Sequence, residues 1–322
     1  KSTIRAATSR DKTMYRIKIF FKLTFLCLLF LANTVSANDS SIRVVTSFSI
    51  LEDLVKELGG QYVSVVNLVG RNSDAHMYQP KPSDAVAIAK ADLVVFNGLG
   101  FEGWIPRLIK NSGYKNQQII ASRGVDAIKN GKEIDPHAWQ SFHNIRLYIQ
   151  NISQMLIQLR PQHVEALTKR QQKYLDSVSN LEQRLKKQFA SIPPNKRIVV
   201  TSHDAFGYLG REFKIQFLAP LGLSLEVEAS AEDVATIIDQ IREQNVKALF
   251  VENINNPRLL ELISAETNVA IGGRLYSDAL SEVKGPAGTY LKMMRHNIES
   301  LITVLSTEVV FKKNNPEGKK ND

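Results

Sequence analysis

The chain has 322 residues, a formal net charge of +9 and one cysteine. Residues 1–37 hold seven of its 41 Lys/Arg but only one of its 32 Asp/Glu, so the remainder carries a net charge of only +3. That balance removes the electrostatic case for nucleic-acid binding, and a single cysteine excludes a disulfide framework or a multi-thiolate metal site.

Residues 1–37 read as a leader containing a secretory signal, with Met14 the expected start. Arg16, Lys18 and Lys22 precede the apolar run Leu23 to Ala32, and Val35-Ser36-Ala37 supplies small residues for cleavage near Ala37. An apolar run of about ten residues is half of the ~20 that a spanning helix needs. Cys27 lies inside that run without the small residues that a lipidation site wants before it, so a cleaved, cysteine-free periplasmic protein is expected. Residues 38–160 then alternate strand and helix. Arg43 to Phe48, Val63 to Val69, Leu93 to Phe96 and Gln118 to Ala121 read as strands. The helix Ile50 to Leu58 stops at Gly59-Gly60, and Pro82-Ser83-Asp84 starts the helix Ala85 to Ala91.

Residues 161–193 contain the glycine- and proline-free run Gln162 to Ser191, bounded by Pro161 and Pro193-Pro194. Val164, Leu167, Tyr174, Val178, Leu181, Leu185 and Phe189 recur at helical spacing with one lapse at Gln171, which predicts a single helix of about 45 Å. Such a strut would limit hinge bending. Residues 194–311 repeat the strand–helix grammar, with strands Arg197 to Thr201, Ala248 to Val251 and around Ala270-Ile271. Helices are expected over Ala231 to Gln244, Pro257 to Thr267 and Tyr290 to Leu305. Residues 312–322 form a polar, Lys-rich tail. Near-continuous apolar strands between helices indicate parallel sheets. The expected fold is α/β: two lobes, each a mainly parallel sheet flanked by helices, joined by one long rigid helix.

His76, His137, His203 and Asp278 each lie in a short loop after a strand-like run, 61, 66 and 75 residues apart. These intervals are too wide for a zinc finger or a helix-borne histidine pair, and suit a site assembled from distant loops, two from each half. Three imidazoles and a carboxylate complete a shell for a divalent transition metal. Taken singly, each histidine is an ordinary surface residue and Asp278 an ordinary helix cap; the shared context carries the argument. His143, His163 and His296 lack that context and read as structural or solvated.

The chain resembles the periplasmic metal-binding solute-binding proteins of zinc and manganese ABC transporters. The resemblance rests on Asp74-Ala75-His76-Met77-Tyr78-Gln79-Pro80-Lys81-Pro82-Ser83-Asp84, Asp135-Pro136-His137-Ala138-Trp139, Ser202-His203-Asp204-Ala205-Phe206-Gly207-Tyr208 and Gly273-Arg274-Leu275-Tyr276-Ser277-Asp278-Ala279-Leu280. It implies a metal site between the lobes formed by His76, His137, His203 and Asp278, and delivery of the metal to an inner-membrane permease by a monomer that is not an enzyme. Two departures bear on the metal. Ser122 to Asp135 lacks the histidine-rich loop of many zinc-specific members, and His203 stands where many manganese binders have glutamate. Three imidazoles favour Zn2+, while Mn2+ would draw on both oxygens of Asp278. The alternatives are a zinc-dependent hydrolase, disfavoured because Asp278 fills the open position, and an iron–siderophore binder, disfavoured by direct histidine ligands. Alanine at His76 or His203 is expected to abolish tight metal binding and leave the apo fold intact. Alanine at His296 should do neither.

Overall fold

The computed structural model describes residues 41–306 except Lys132. The leader, Met14, Cys27, the cleavage point near Ala37 and the tail from residue 312 lie outside the described residues. From Ser41 onward the described chain is one compact unit.

The first lobe is built on β1 (Ile42–Phe48), β2 (Val63–Val69), β3 (Leu93–Phe96) and β4 (Gln117–Ile120), in the order β2-β1-β3-β4 with every pairing parallel. In β1 all positions but Arg43 are buried, because helices cover both faces of the sheet. These helices are α1 (Ser49–Gly59), α2 (Pro82–Ala89) and α3 (Ile105–Asn111). Gly60, at φ 55°, closes α1 as the glycine pair foretold. Proline at the first position and Asp84, whose Oδ2 accepts the Lys81 N–H at 2.7 Å, open α2. A two-residue hairpin, β5 (Lys129–Asn130) with β6 (Glu133–Ile134), leads to α4 (Phe142–Leu159), whose start Ser141 caps by accepting the His143 and Asn144 N–H groups.

The linking helix α5 spans Val164–Phe189, 26 residues or about 39 Å. It buries Leu167, Tyr174, Val178, Leu181, Leu185 and Phe189, the predicted stripe less Val164, which lies half-exposed at the helix start. The shortfall against Gln162–Ser191 has a local cause. Pro161–His163 forms a tighter 3-10 turn, and the chain leaves the helix after Ala190 ahead of Pro193-Pro194.

The second lobe holds β7 (Ile198–Thr201), β8 (Gln216–Leu218), β9 (Ala248–Glu252) and β10 (Ile271–Leu275), all parallel in the order β10-β9-β7-β8. Its helices are α6 (Gly207–Phe213), α7 (Ala231–Gln244), α8 (Arg258–Thr267) and α9 (Tyr290–Ser306). The short strand β8 was not expected: three residues after a left-handed Lys214 give no readable alternation. No described helix is long and apolar enough to cross a membrane.

The cores of the two lobes are not separate. One continuous cluster runs from Phe48, Leu51 and Leu54 through Trp139, Tyr148 and Leu185 to Phe206, Phe250, Leu275 and Met294. Smaller clusters lie on the outer face of each sheet. A shared core resists relative rotation of the lobes more than a flexible linker would.

Asp53 fastens α1 to α9 by accepting the Tyr290 N–H at 2.8 Å. Burial raises its pKa to about 6, the Tyr290 bond only partly opposing it. A raised folded pKa means stability is fully present below the unfolded value near ~4 and is lost as pH rises through about 6. Asp53→Asn keeps the acceptor and removes the titration. Urea melts of the apo proteins from pH 4 to pH 7 should show the parent losing about 2–3 kcal/mol relative to this variant. Parallel curves for the two proteins would show that the Asp53 carboxyl is not protonated in the fold.

Candidate metal site

In an open parallel sheet the loops at the carboxyl ends of the strands form the crevice where ligands meet the protein. His76 follows β2, His203 follows β7 at the centre of the second sheet, and Asp278 follows β10. His137 follows the β5–β6 hairpin. All four side chains converge, with one ligating atom from each lying within 4.8 Å of the others. Asp278 caps no helix, because α9 begins only at Tyr290.

The separations are informative. His76 Nε2 lies 3.3 Å from His137 Nε2, and Asp278 Oδ2 lies 3.5 Å from His76 Nε2 and 3.3 Å from His203 Nε2. Asp278 Oδ1 faces His137 Nε2 at 3.6 Å. A tetrahedral zinc with bonds of ~2.0–2.1 Å would set its ligand atoms ~3.3–3.4 Å apart. These four separations are close to the spacing that such an ion imposes, and all four donors lie within 4.8 Å of one another. Both carboxylate oxygens point inward, so a fifth, oxygen contact is also available.

Neither oxygen of Asp278 nor Nε2 of His203 has a hydrogen-bond partner, although both residues are fully buried. An unpartnered buried carboxylate is costly unless a cation meets it. These orphaned atoms fit a bound metal. Burial pushes the Asp278 carboxyl up, but the neighbouring His137 and His203 outweigh it and hold the pKa well below the carboxylate range. Burial likewise lowers His137, yet the Asp278 and Asp135 carboxylates raise it to about 9; His203 is raised well above its usual value against the same penalty by Glu252 and Asp278. The pocket is thus strongly anionic whenever its imidazoles are neutral.

Each ligand candidate is held from behind. Asp135 Oδ1 accepts the His137 N–H at 2.9 Å and lies 2.8 Å from Nδ1 of the same ring. Glu252, the last residue of β9, accepts the His203 N–H at 2.9 Å, and its other oxygen lies 2.7 Å from His203 Nδ1. A carboxylate beside Nδ1 favours the proton there and the Nε2 lone pair toward the centre, at His137 through a hydrogen bond and at His203 through the close negative charge of Glu252. Asp74 accepts the His76 N–H at 2.7 Å, Trp104 Nε1 holds Ala75 O at 2.8 Å, and the Phe101 ring stands edge-on to His76 at 4.5 Å. Trp139 Nε1 and Gln140 Nε2 donate to Ser277 O at 2.9 and 2.7 Å, fixing the residue before Asp278. The His76 side chain keeps 6% exposure where the other three have none, so it stands nearest the solvent.

The sequence named the four converging residues and missed their supports. Asp135 lies within a motif and could have been suspected two residues before His137. Glu252 carries no local signal, being 49 residues from His203. The remaining histidines lie elsewhere: His143 is exposed in the first turn of α4, His163 stacks on Tyr62 at 4.2 Å, and His296 approaches Arg274 O at 3.0 Å. Glu226 and Glu228 are exposed and take no part in the cluster.

Residues 44–304 match the family model described as zinc-uptake complex component A, periplasmic. The metal ABC transporter substrate-binding lipoprotein FimA of Streptococcus parasanguinis is 30% identical over 302 residues, covering 90% of this chain and 97% of that protein. The periplasmic zinc-binding protein TroA of Treponema pallidum superposes with a TM-score of 0.80 at 27% identity, over 83% of this chain and 99% of its own. A manganese-bound periplasmic metal-binding protein of Candidatus Liberibacter asiaticus gives 0.76 at 31% identity, over 82% and 100%. Two parallel-sheet lobes, a long linking helix and these matches place the chain in the family of metal-binding solute-binding proteins of ABC transporters, which are not enzymes.

Proposed function

We propose that this protein captures a divalent transition metal through His76, His137, His203 and Asp278 and delivers it to a membrane permease outside the cytoplasm. The observation that carries the reading is the buried, unpartnered Asp278 carboxylate ringed by three imidazole nitrogens at 3.3–3.6 Å. Zinc is the favoured cargo. Three nitrogens and one carboxylate satisfy its tetrahedral preference, and intrinsic affinity rises from manganese toward zinc. Manganese is accommodated if both oxygens of Asp278 bind, which their inward orientation supports. The relatives point both ways, one being named for zinc and another bound to manganese.

Residues 38–160 and 194–311 are proposed as the two lobes, with 161–193 between them. FimA is named a lipoprotein; for this chain a cleaved signal ending near Ala37 is the proposed route, and mass spectrometry of the native protein distinguishes it from lipid on Cys27.

Competitive titration of the metal-free protein tests the cargo. One equivalent of Zn2+ should bind and should displace Mn2+ from the same site. Failure to bind either ion stoichiometrically, with the protein folded, would remove the reading. Elemental analysis of protein from its native compartment then identifies the physiological metal.

A further inference from the structure

Asp278 follows a second-lobe strand, yet its loop is bonded largely to the first lobe. Trp139 and Gln140 hold Ser277 O, and the Asn72 N–H donates to Leu280 O at 3.0 Å. Ser49 Oγ accepts the Leu280 N–H at 2.9 Å. Beyond Leu280 the chain closes on itself: Ser281 N–H donates to Ala287 O at 3.1 Å, and Ala287 N–H returns to Ser281 Oγ at 3.1 Å. A side chain at Gly288 would meet Val283 O at 2.3 Å, so the loop closes there with room for glycine alone. Across its two stems sits one guanidinium. Arg71 Nη1 donates to Ser281 O at 2.7 Å and to Gly288 O at 3.0 Å.

Arg71 belongs to the loop that carries His76, five residues earlier. We infer that Arg71 is a positioning residue that clamps the Asp278 loop to the His76 loop, so that the carboxylate moves with His76 and His137 as a first-lobe set facing His203. The inference rests on the metal-binding reading above. It differs from a site shared equally, two and two, between lobes. His203, by contrast, is held by second-lobe groups: Glu252, the bridge to Leu221, and Asp204 N–H bonded to Gly222 O at 3.1 Å. Tyr208 and Glu212 of α6 also reach the first lobe, at Asp135 O and the Phe142 N–H. The second lobe in turn touches the Asp278 loop through Asn253 Nδ2, 3.1 Å from Ala279 O. It also holds the root of the loop through Asn297, which accepts the Tyr276 N–H at 2.9 Å and donates to Tyr276 O at 2.8 Å. The first lobe's hold lies at Ser277 and from Leu280 onward. Both Arg71 bonds leave one terminal nitrogen of a rigid planar group, a placement that the compact ammonium of lysine on its flexible stem reproduces only in part.

The experiment uses the full chain loaded with Zn2+ or, for spectroscopy, Co2+. Arg71→Ala should release zinc into excess EDTA about tenfold faster than the parent, as expected for loss of two charge-assisted bonds that orient a ligand. Its Co2+ ligand-field spectrum should change, because the carboxylate no longer presents both oxygens in one pose. Arg71→Lys should recover part of each effect. In the metal-free state, amide exchange across residues 278–288 should quicken in Arg71→Ala while residues 202–206 keep the parent's rate. If Arg71→Ala does not fold, Arg71→Lys and Asn72→Gly carry the comparison; glycine suits the left-handed backbone of Asn72 (φ 53°) and removes its side-chain bond to Asn253. Unchanged zinc release and an unchanged Co2+ spectrum, in a parent that binds one zinc and loses it with His203→Ala, would overturn the inference and leave the function standing. A parent that holds no zinc or cobalt would overturn both.

Discussion

Alanine at His203 should lower zinc affinity on the order of a thousandfold or more, ~4 kcal/mol, and alanine at His76 by a comparable factor. Support residues behind metal ligands are typically worth about 10–100-fold, and a direct ligand must exceed them. The two variants should differ without metal. His203 has no exposure and stands between two buried carboxylates, with Glu252 Oε2 at 2.7 Å and Asp278 Oδ2 at 3.3 Å. Removing its ring leaves two anions facing each other in a dry pocket, so the apo protein should melt several degrees lower. His76 stands at the solvent edge, where water can take its place beside Asp74 and Asp278, so its apo melting point should stay near the parent's. The simpler expectation from sequence, that both replacements spare the apo fold, is therefore revised for His203. In the parent, zinc at a hundred times its dissociation constant should add about 2.7 kcal/mol of stability. An equal gain in His203→Ala would refute its place in the site. His296→Ala should leave affinity unchanged, since its ring meets Arg274 O and the Tyr276 ring, away from the cluster.

Much of the architecture was readable because each lobe uses strands buried on both faces, which appear in sequence as unbroken β-branched runs between glycine and proline stops. Ala231–Gln244 was legible to the residue, since Ser230 and Asp233 write a reciprocal cap and Asn245 a left-handed stop. The site was legible because its members share a strand-to-loop context, even though the intervals between them exceed 60 residues. What stayed hidden is non-local. The three residues of β8 are a strand only because β7 pairs with them. A core common to both lobes has no sequence signature, since the stripe on α5 states that something is buried and not against what. The attachment of the Asp278 loop to the first lobe joins Arg71 to Ser281 across 210 residues.

Glutamine at Glu252 should weaken metal binding about 10–100-fold while conserving volume. The carboxylate at the end of β9 performs two tasks with two oxygens: Oε1 accepts the His203 backbone N–H at 2.9 Å, and Oε2 faces Nδ1 of its ring at 2.7 Å. An amide can accept at one of these positions and must present N–H at the other. If its nitrogen faces the ring, Nδ1 is pressed to become the acceptor, the proton moves to Nε2, and the lone pair that should meet the metal is lost. If its nitrogen faces the backbone, two donors oppose each other in a buried pocket. Either arrangement leaves the ligand set present and wrongly prepared. Asp135→Asn makes the same test in the first lobe, where one oxygen serves both the His137 N–H and Nδ1. Asparagine can keep that oxygen in place, so the loss there should be smaller. The order of affinities, parent above Asp135→Asn above Glu252→Gln, would separate tautomer control from loss of buried charge, because both variants remove one negative charge. Equal losses in the two would assign the effect to charge alone, and parent-like zinc affinity in Glu252→Gln would show that His203 needs no carboxylate behind it.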